Sequence, residues 1–372
     1  MPQMPQVTTR LRVVSAATIA ALLVLPALSA DKSRKQTKTA SPGELVWPLP
    51  PDPPRVRWLG QINDLDEVKG KGKGRSWMER LAGPQGVYDV RAVLQRPYGI
   101  AVDSQGRIYV ADSAQRAVYI LDQANKRVEV RRGASRAPLA LPIGVALDEQ
   151  DRLFVSDSFL HQILCFDKDG TQLATFGRDK LQRAAGLALD RDRHRLYVVD
   201  AKAHRIVVFN SADFTFQRYI GAPNSTKGVA EPGHFAIPSN AAVDRQGNLY
   251  VTDSFNFRIQ IFDPDGKFVR AFGTHGDRPG SFARPKGIAV DSEGHIYVAD
   301  AEFNNFQIFS AKGETLLAVG GMGPEPGQFI LIAGMCIDRN DRILTTEQET
   351  GRVQMFQYLR ATEQKEVTRP TK

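Results

Sequence analysis

Short apolar runs broken by Gly, Asp and Asn recur along most of the chain. The run Pro97-Tyr98-Gly99-Ile100-Ala101-Val102-Asp103 is followed by Gly106-Arg107-Ile108-Tyr109-Val110-Ala111-Asp112. Almost the same pair returns as Pro285-Lys286-Gly287-Ile288-Ala289-Val290-Asp291 and Gly294-His295-Ile296-Tyr297-Val298-Ala299-Asp300. Six copies exist, with first aspartates at Asp103, Asp148, Asp190, Asp244, Asp291 and Asp338, spaced 42 to 54 residues apart. A second acid follows in each: Asp112, Asp157, Asp200, Asp253, Asp300 and Glu347.

Each copy predicts four short strands. The first is small and apolar, and the second reads Ile-Tyr-Val-Ala or a variant. The third is typified by Arg258-Ile259-Gln260-Ile261-Phe262, and the fourth ends in Gly, as in Phe268 to Gly273. β-Branched and aromatic residues bounded by turn residues favour strands. Linkers such as Asp244-Arg245-Gln246-Gly247-Asn248 suit tight hairpins. Four-stranded units at this period are propeller blades, so the fold class is an all-β, six-bladed β-propeller of four-stranded antiparallel blades. The sixth copy lacks a fourth strand. Arg55-Val56-Arg57-Trp58-Leu59-Gly60, far upstream, has the fourth-strand pattern. An N-terminal strand closing the last blade is therefore expected, which leaves no blade edge unpaired.

The recurring Pro-x-Gly-Ile-Ala-Val-Asp, Ile-Tyr-Val-Ala-Asp and Arg-Ile-Gln-Ile-Phe resemble the NHL repeat, over roughly Arg55 to Tyr358. The resemblance implies the fold and is nearly silent on function, because NHL propellers include RNA binders, peptide-processing lyases and exported proteins. Propellers resembling the peptide-amidating lyase carry metal-binding His beside the Pro that opens an inner strand. The matching residues here are Tyr98, Ile143, Ala185, Ser239, Lys286 and Ala333, and none is His.

Residues present in every copy are expected to serve the fold. An Asp at a strand end accepts hydrogen bonds from turn N–H groups a few residues on. The acids are not gathered into one loop with calcium-ligand spacing. Gln162, Arg205, Arg258 and Arg352, five residues after a second acid, are placed to pair across that turn. Cys336 takes the slot of Ala101 and its equivalents, and Cys165 that of Ile120, so two free buried thiols are expected. His161 and His204 match one another in second-to-third turns. No zinc-protease, nucleophile-elbow or P-loop spacing occurs.

The N-terminus departs from the pattern. Arg10 and Arg12 precede the apolar run Val13 to Leu25, and small residues lead to Ala30. This predicts a signal peptide over 1–30, cleaved near Ala30, and a periplasmic or secreted protein. A retained anchor is the alternative. A Pro-rich, basic flexible linker is expected over 31–54, the propeller over 55–359 with a basic insertion at 61–95, and a disordered tail over 360–372. Beyond the signal, no apolar run is long enough to span a bilayer. The 42% hydrophobic and 24% charged residues are ordinary for a globular chain. The net charge of +8 is spread over the N-terminus, the insertion and the tail. It is weak evidence for a nucleic-acid partner, and the expected export weakens it further.

Function is expected where the repeat breaks, on the rim of fourth-to-first loops and second-to-third turns and in the central funnel. Candidate ligand contacts there are Arg96, Tyr98, Phe159, Asn240, Phe255, Asn256, Lys286, Phe303 and Asn304. Within the insertion, Lys69, Lys71, Lys73, Arg75 and Trp77 form a candidate docking element for an anionic surface, with Ser76 capping a short helix. Phe235, Phe282 and Phe329, each after Pro-Gly-x, are expected to pack between blades. The leading reading is a non-catalytic exported scaffold binding a protein, peptide or glycan. The alternative is a metal-dependent hydrolase or lyase, lactonase-like or amidating-lyase-like, with a small substrate in the channel. No cofactor is predicted, and a single channel Ca or Zn ion stays open.

Overall fold

A computed structural model describes residues 45–49, 51–70, 93–134, 137–224 and 230–360. The expected signal peptide, most of the expected linker, and the tail beyond Arg360 lie outside the described residues. Six antiparallel sheets follow in chain order, the fourth strand outermost in the first five. Blade 1 comprises Pro97–Val102, Ile108–Asp112, Ala117–Asp122 and Arg127–Arg131. Blades 2 to 5 repeat it, with inner strands Pro142–Leu147, Ala184–Asp190, Asn240–Val243 and Pro285–Val290. Blade 6 is built from Ile332–Ile337, Arg342–Glu347 and Arg352–Tyr358.

The closing strand is where the sequence places it. Val56–Ile62 pairs antiparallel with the third strand of blade 6, Val56 opposite Tyr358 and Ile62 opposite Val353. Trp58 is buried, and its indole N–H donates to Gln354 Oε1 at 2.9 Å. The expected linker needs correction at its end. Val46–Trp47 pairs with Val56–Arg57 as a fifth strand, and Trp47 sets its ring edge-on to Phe356, centroids 5.8 Å apart. Pro48, Pro51, Pro53 and Pro54 suggest a break, yet they stand in the connection between these two strands.

Packing explains the local sequence. Second strands such as Ile108–Asp112 and Leu153–Asp157 are buried at every residue. They are covered on both faces by neighbouring blades, so they read as continuous apolar runs rather than alternating ones. Outer strands such as Gln172–Phe176 and Phe268–Phe272 alternate between exposed and half-buried residues. The cores lie between blades: Tyr109, Val118 and Ile120 of blade 1 pack with Val145, Val155 and Phe166 of blade 2. Leu344, Val353 and Met355 of blade 6 join Ile100, Val110 and Tyr119 of blade 1, so the last core closes the ring. Phe235, Phe282 and Phe329 are fully buried in these inter-blade cores, as expected. Each ring lies against the Gly that ends a fourth strand, for example Phe282 on Gly273, whose φ of 95° would strain any other residue.

Candidate functional site

The repeated acids turn inward to the fold. Asp103 Oδ1 accepts the N–H groups of Gln105 and Arg107, both at 2.9 Å, while Oδ2 takes Arg107 Nε. The same residues recur around Asp148 and Asp338. Asn248 replaces the Arg in blade 4 and His295 replaces it in blade 5. The second acids are fully buried. Asp112 accepts the N–H groups of Gln95 and Arg96 on one side and those of Ala114 and Gln115 on the other. Each such carboxylate thereby ties the start of an inner strand to the second-to-third turn. Those turns end in a left-handed residue: Arg116, His161, His204, Phe257 and Asn304 have φ between 51° and 57°. His161 and His204 thus hold backbone positions, and His204 Nδ1 also accepts the Ile237 N–H at 3.1 Å.

The His295–Asp291 pair makes stability depend on pH. The hydrogen bond that the imidazole donates to Asp291 raises its pKa above the ordinary 6.5, against the opposing effect of burial. At Asp291, burial works to raise the pKa, but the His295 hydrogen bond and charge outweigh it and hold the carboxyl below its ordinary 3.8. The His contribution is complete below pH 6.5 and is lost as pH rises through the folded value. The Asp contribution is present above 3.8 and is lost as pH falls through the folded value. We predict that His295→Asn, which copies the Asn248 of blade 4, removes a fall in stability of about 1 kcal/mol or less on the alkaline side. Melting temperatures of both proteins across pH 5 to 9 measure it, and parallel curves would refute it.

The inner strands enclose a cavity of about 370 Å³ along the ring axis. Half-buried Val102, Leu189, Val243, Val290 and Ile337 line its wall. Tyr98 and Asn240 line it at the strand starts, and Arg191 and Arg245 at the opposite hairpins. Both cysteines are free, and Cys165 is buried, its thiol pushed up to about 12 by burial. Cys336 departs from the expectation: it is half-buried, on the cavity wall. Its slot is small because an inner strand there packs closely on the next blade: Ala146, Ala188 and Ala289 sit in inter-blade cores, and Cys336 packs against the one between blades 6 and 1.

The candidate residues divide into three groups. Tyr98 and Asn240 line the strand-start end of the cavity, and Lys286 stands beside Tyr98. The Lys286 ammonium stands 5.6 Å from the centre of the Tyr98 ring. Burial lowers the Lys286 pKa to about 8, with Arg284 adding to the shift, and burial raises that of Tyr98 to about 12. Phe159 and Phe255 stand on the rim, 69% and 63% exposed, while Phe303 is half-buried and Arg96 exposed. Asn256 and Asn304 are engaged within the fold. Asn256 Nδ2 donates to Asp253 at 2.7 Å and bonds Asn224, and Asn304 Oδ1 accepts the Leu331 N–H at 2.7 Å. Their side-chain polarity reads as recognition in the sequence but serves the join between blades.

Of the insertion, Leu65–Val68 forms one helical turn capped by Asp64, and Lys69 pairs with Asp66 at 3.0 Å. Lys71, Lys73, Arg75, Ser76 and Trp77 lie outside the described residues. Sequence reasoning missed Arg191 and Arg245. The signal was available: each follows a first aspartate, where blades 1, 2 and 5 carry Ser104, Glu149 and Ser292. Among the described residues no group of three or more His, Cys, Asp or Glu side chains is placed to hold a metal. No described helix is long and apolar enough to cross a membrane.

Known proteins agree on the architecture. The NHL repeat family model matches residues 94–115 and 181–209, and a 6-bladed beta-propeller model matches residues 239–306. Protein brain tumor of Drosophila melanogaster is 49% identical over 51 residues, 14% of this chain and 5% of that protein. The match thus spans only a small part of that relative. A virginiamycin B lyase from Staphylococcus aureus superposes with a TM-score of 0.54 at 12% identity, covering 73% of this chain and 98% of the lyase. An auxiliary nutrient binding protein from Bacteroides ovatus gives 0.55 at 12% identity, covering 73% and 71%. At such identities the likeness concerns the fold, which in these two carries different activities. The chain is a six-bladed β-propeller that carries NHL repeats.

Proposed function

We propose that this propeller is a non-catalytic binding scaffold whose rim of second-to-third turns holds a protein, peptide or glycan partner. One observation carries the reading. Phe159 and Phe255 occupy the same position in blades 2 and 4 and are 69% and 63% exposed, whereas Phe235, Phe282 and Phe329 are fully buried. Exposed Lys202 holds that position in the blade between them. The turns are rigid: Asp157 accepts the N–H groups of Phe159 and Leu160, and Asp253 that of Ala236. Aromatic groups fixed on rigid turns lose little entropy on binding. The basic and apolar pattern of residues 10–30 supports work outside the cytoplasm, periplasmic or secreted.

The test is cross-linking in the native envelope, comparing the natural chain with Phe159→Ser/Phe255→Ser. Both side chains are exposed, so stability should stay within about 0.5 kcal/mol. Capture of the natural partner should fall about tenfold or more. Undiminished capture by the double variant would sink the proposal. The second reading, a hydrolase or lyase acting in the channel, draws on a cavity large enough for a small substrate. The carboxylates of the first-to-second turns bear against it, because hydrogen bonds such as Tyr250 to Asp244 at 2.9 Å already engage them.

A further inference from the structure

The rim does not account for the group of polar side chains at the strand-start end of the cavity. Lys286 reaches from blade 5 past the small Ala333 of blade 6 to the ring of Tyr98 in blade 1. It is half-buried, and its one described hydrogen bond is a long one to Gln348 Oε1 at 3.4 Å. Among the described residues Arg284 is the charged group that acts on it, and it repels. A cation removed from water and left without an anion is costly. One neutral donor stands beside it, and a second lines the same end of the cavity. The Tyr98 hydroxyl makes no described hydrogen bond and, with its pKa near 12, keeps its proton. Asn240 breaks the repeat, standing where Gly99, Gly144, Gly186, Gly287 and Gly334 stand in the other blades. It is 9% exposed and lines the cavity. Its Oδ1 accepts the Ala241 N–H, and no described bond engages its Nδ2.

From this geometry we infer that the channel binds a small apolar carboxylate, its charge held at Lys286 and Tyr98 and its body along the aliphatic wall. The half-buried ammonium balances a single negative charge, which a monocarboxylate supplies, while exposed Arg284 is screened by water. The wall of Val102, Leu189, Val243, Val290 and Ile337 offers an acid's hydrocarbon part nothing to hydrogen-bond through its side chains. Lys286 must be charged to act. Affinity is therefore full where the acid is ionised and Lys286 charged, falls as the acid protonates at low pH, and declines as pH rises through about 8. This site is separate from the rim, so rim variants and channel variants succeed or fail independently.

Isothermal titration of the purified chain with octanoate, phenylacetate and 4-phenylbutyrate, and with 1-octanol as the uncharged counterpart, tests the inference. At least one carboxylate should bind one site per chain, about tenfold tighter than the alcohol. Lys286→Met should weaken it about tenfold or more, and Tyr98→Phe, which keeps the ring, about fivefold. Arg245→Ala, at the opposite mouth, should leave it unchanged. Removing an unpaired ammonium should also raise the melting temperature of Lys286→Met, so loss of binding will not reflect unfolding. Saturable binding of none of the three acids by the natural chain would overturn the site. Undiminished binding by Lys286→Met, or binding that depends on Arg245 instead, would do the same.

Discussion

Arg352→Met is expected to destabilise the folded chain by about 3–5 kcal/mol. The guanidinium is 3% exposed at its side chain and faces a fully buried carboxylate, Glu347, with Nε to Oε1 at 2.5 Å. Its other nitrogens reach three further segments. Nη1 donates to Gln61 Oε1 at 3.1 Å and Pro324 O at 2.6 Å, and Nη2 donates to Gln328 O at 2.6 Å. Gln61 belongs to the closing strand, and Pro324 and Gln328 to the loop arriving from blade 5. One side chain therefore joins the second, third and closing strands of blade 6 to the preceding connection. Met fills much of the volume but leaves Glu347 without a cation and Pro324 O without this donor, while Gln328 O keeps the Gln354 amide at 2.7 Å. Urea denaturation gives the loss directly, and amide exchange should quicken over Val56–Ile62. Glu347→Gln added to Arg352→Met should recover part of the loss, because the orphaned charge is then gone. A loss below about 1 kcal/mol would show that the closing strand does not depend on this pair.

This network also shows how far the sequence could be read. The repeat places Arg352 five residues after Glu347, and the pairing across the turn follows from that spacing. The closing strand was legible for a different reason: Val56, Trp58 and the terminal Gly60 supply the element that blade 6 lacks. Gln61, by contrast, reaches Arg352 only because the ring closes, a contact 291 residues apart that no local pattern contains. The fifth strand at Val46–Trp47 is two residues long and flanked by prolines, so it offers no alternation to recognise. Asn256 and Asn304 looked like recognition groups because polarity alone does not reveal a backbone acceptor or donor on the next blade. Tyr98, Asn240 and Lys286 were visible as departures from the repeat. That Lys286 stands beside Tyr98 depends on blades 5 and 1 curving around a common axis.

The close seam between blades 6 and 1 sets the second large effect. Gly334→Ala is expected to cost about 3 kcal/mol or more. A Cβ there would overlap the Tyr98 carbonyl oxygen of the neighbouring blade and stand 2.8 Å from Thr346 Oγ1. Neither group is free to retreat. The Gly334 N–H donates to Thr346 Oγ1 at 2.9 Å, and that hydroxyl donates to Tyr98 O at 2.7 Å. The methyl group would force apart the seam between blade 6 and blade 1, the last and first units of the ring. Because the obstacle is backbone, a side-chain rotation cannot relieve it. Gly321→Ala is the natural control, since nothing lies within 4 Å of the added carbon; its effect should stay within about 0.5 kcal/mol. Blade 4 shows what it takes to admit a side chain at this level: where Asn240 replaces the glycine, the inner strand is only Asn240–Val243. Blade 6 keeps the longer Ile332–Ile337, whose register shifts between Ile332 and Met335, and there the Gly334 N–H is held by Thr346 instead of the ladder. Equal denaturation midpoints for the two alanine variants would mean that the seam yields, and that ring closure rests on the side-chain cores alone.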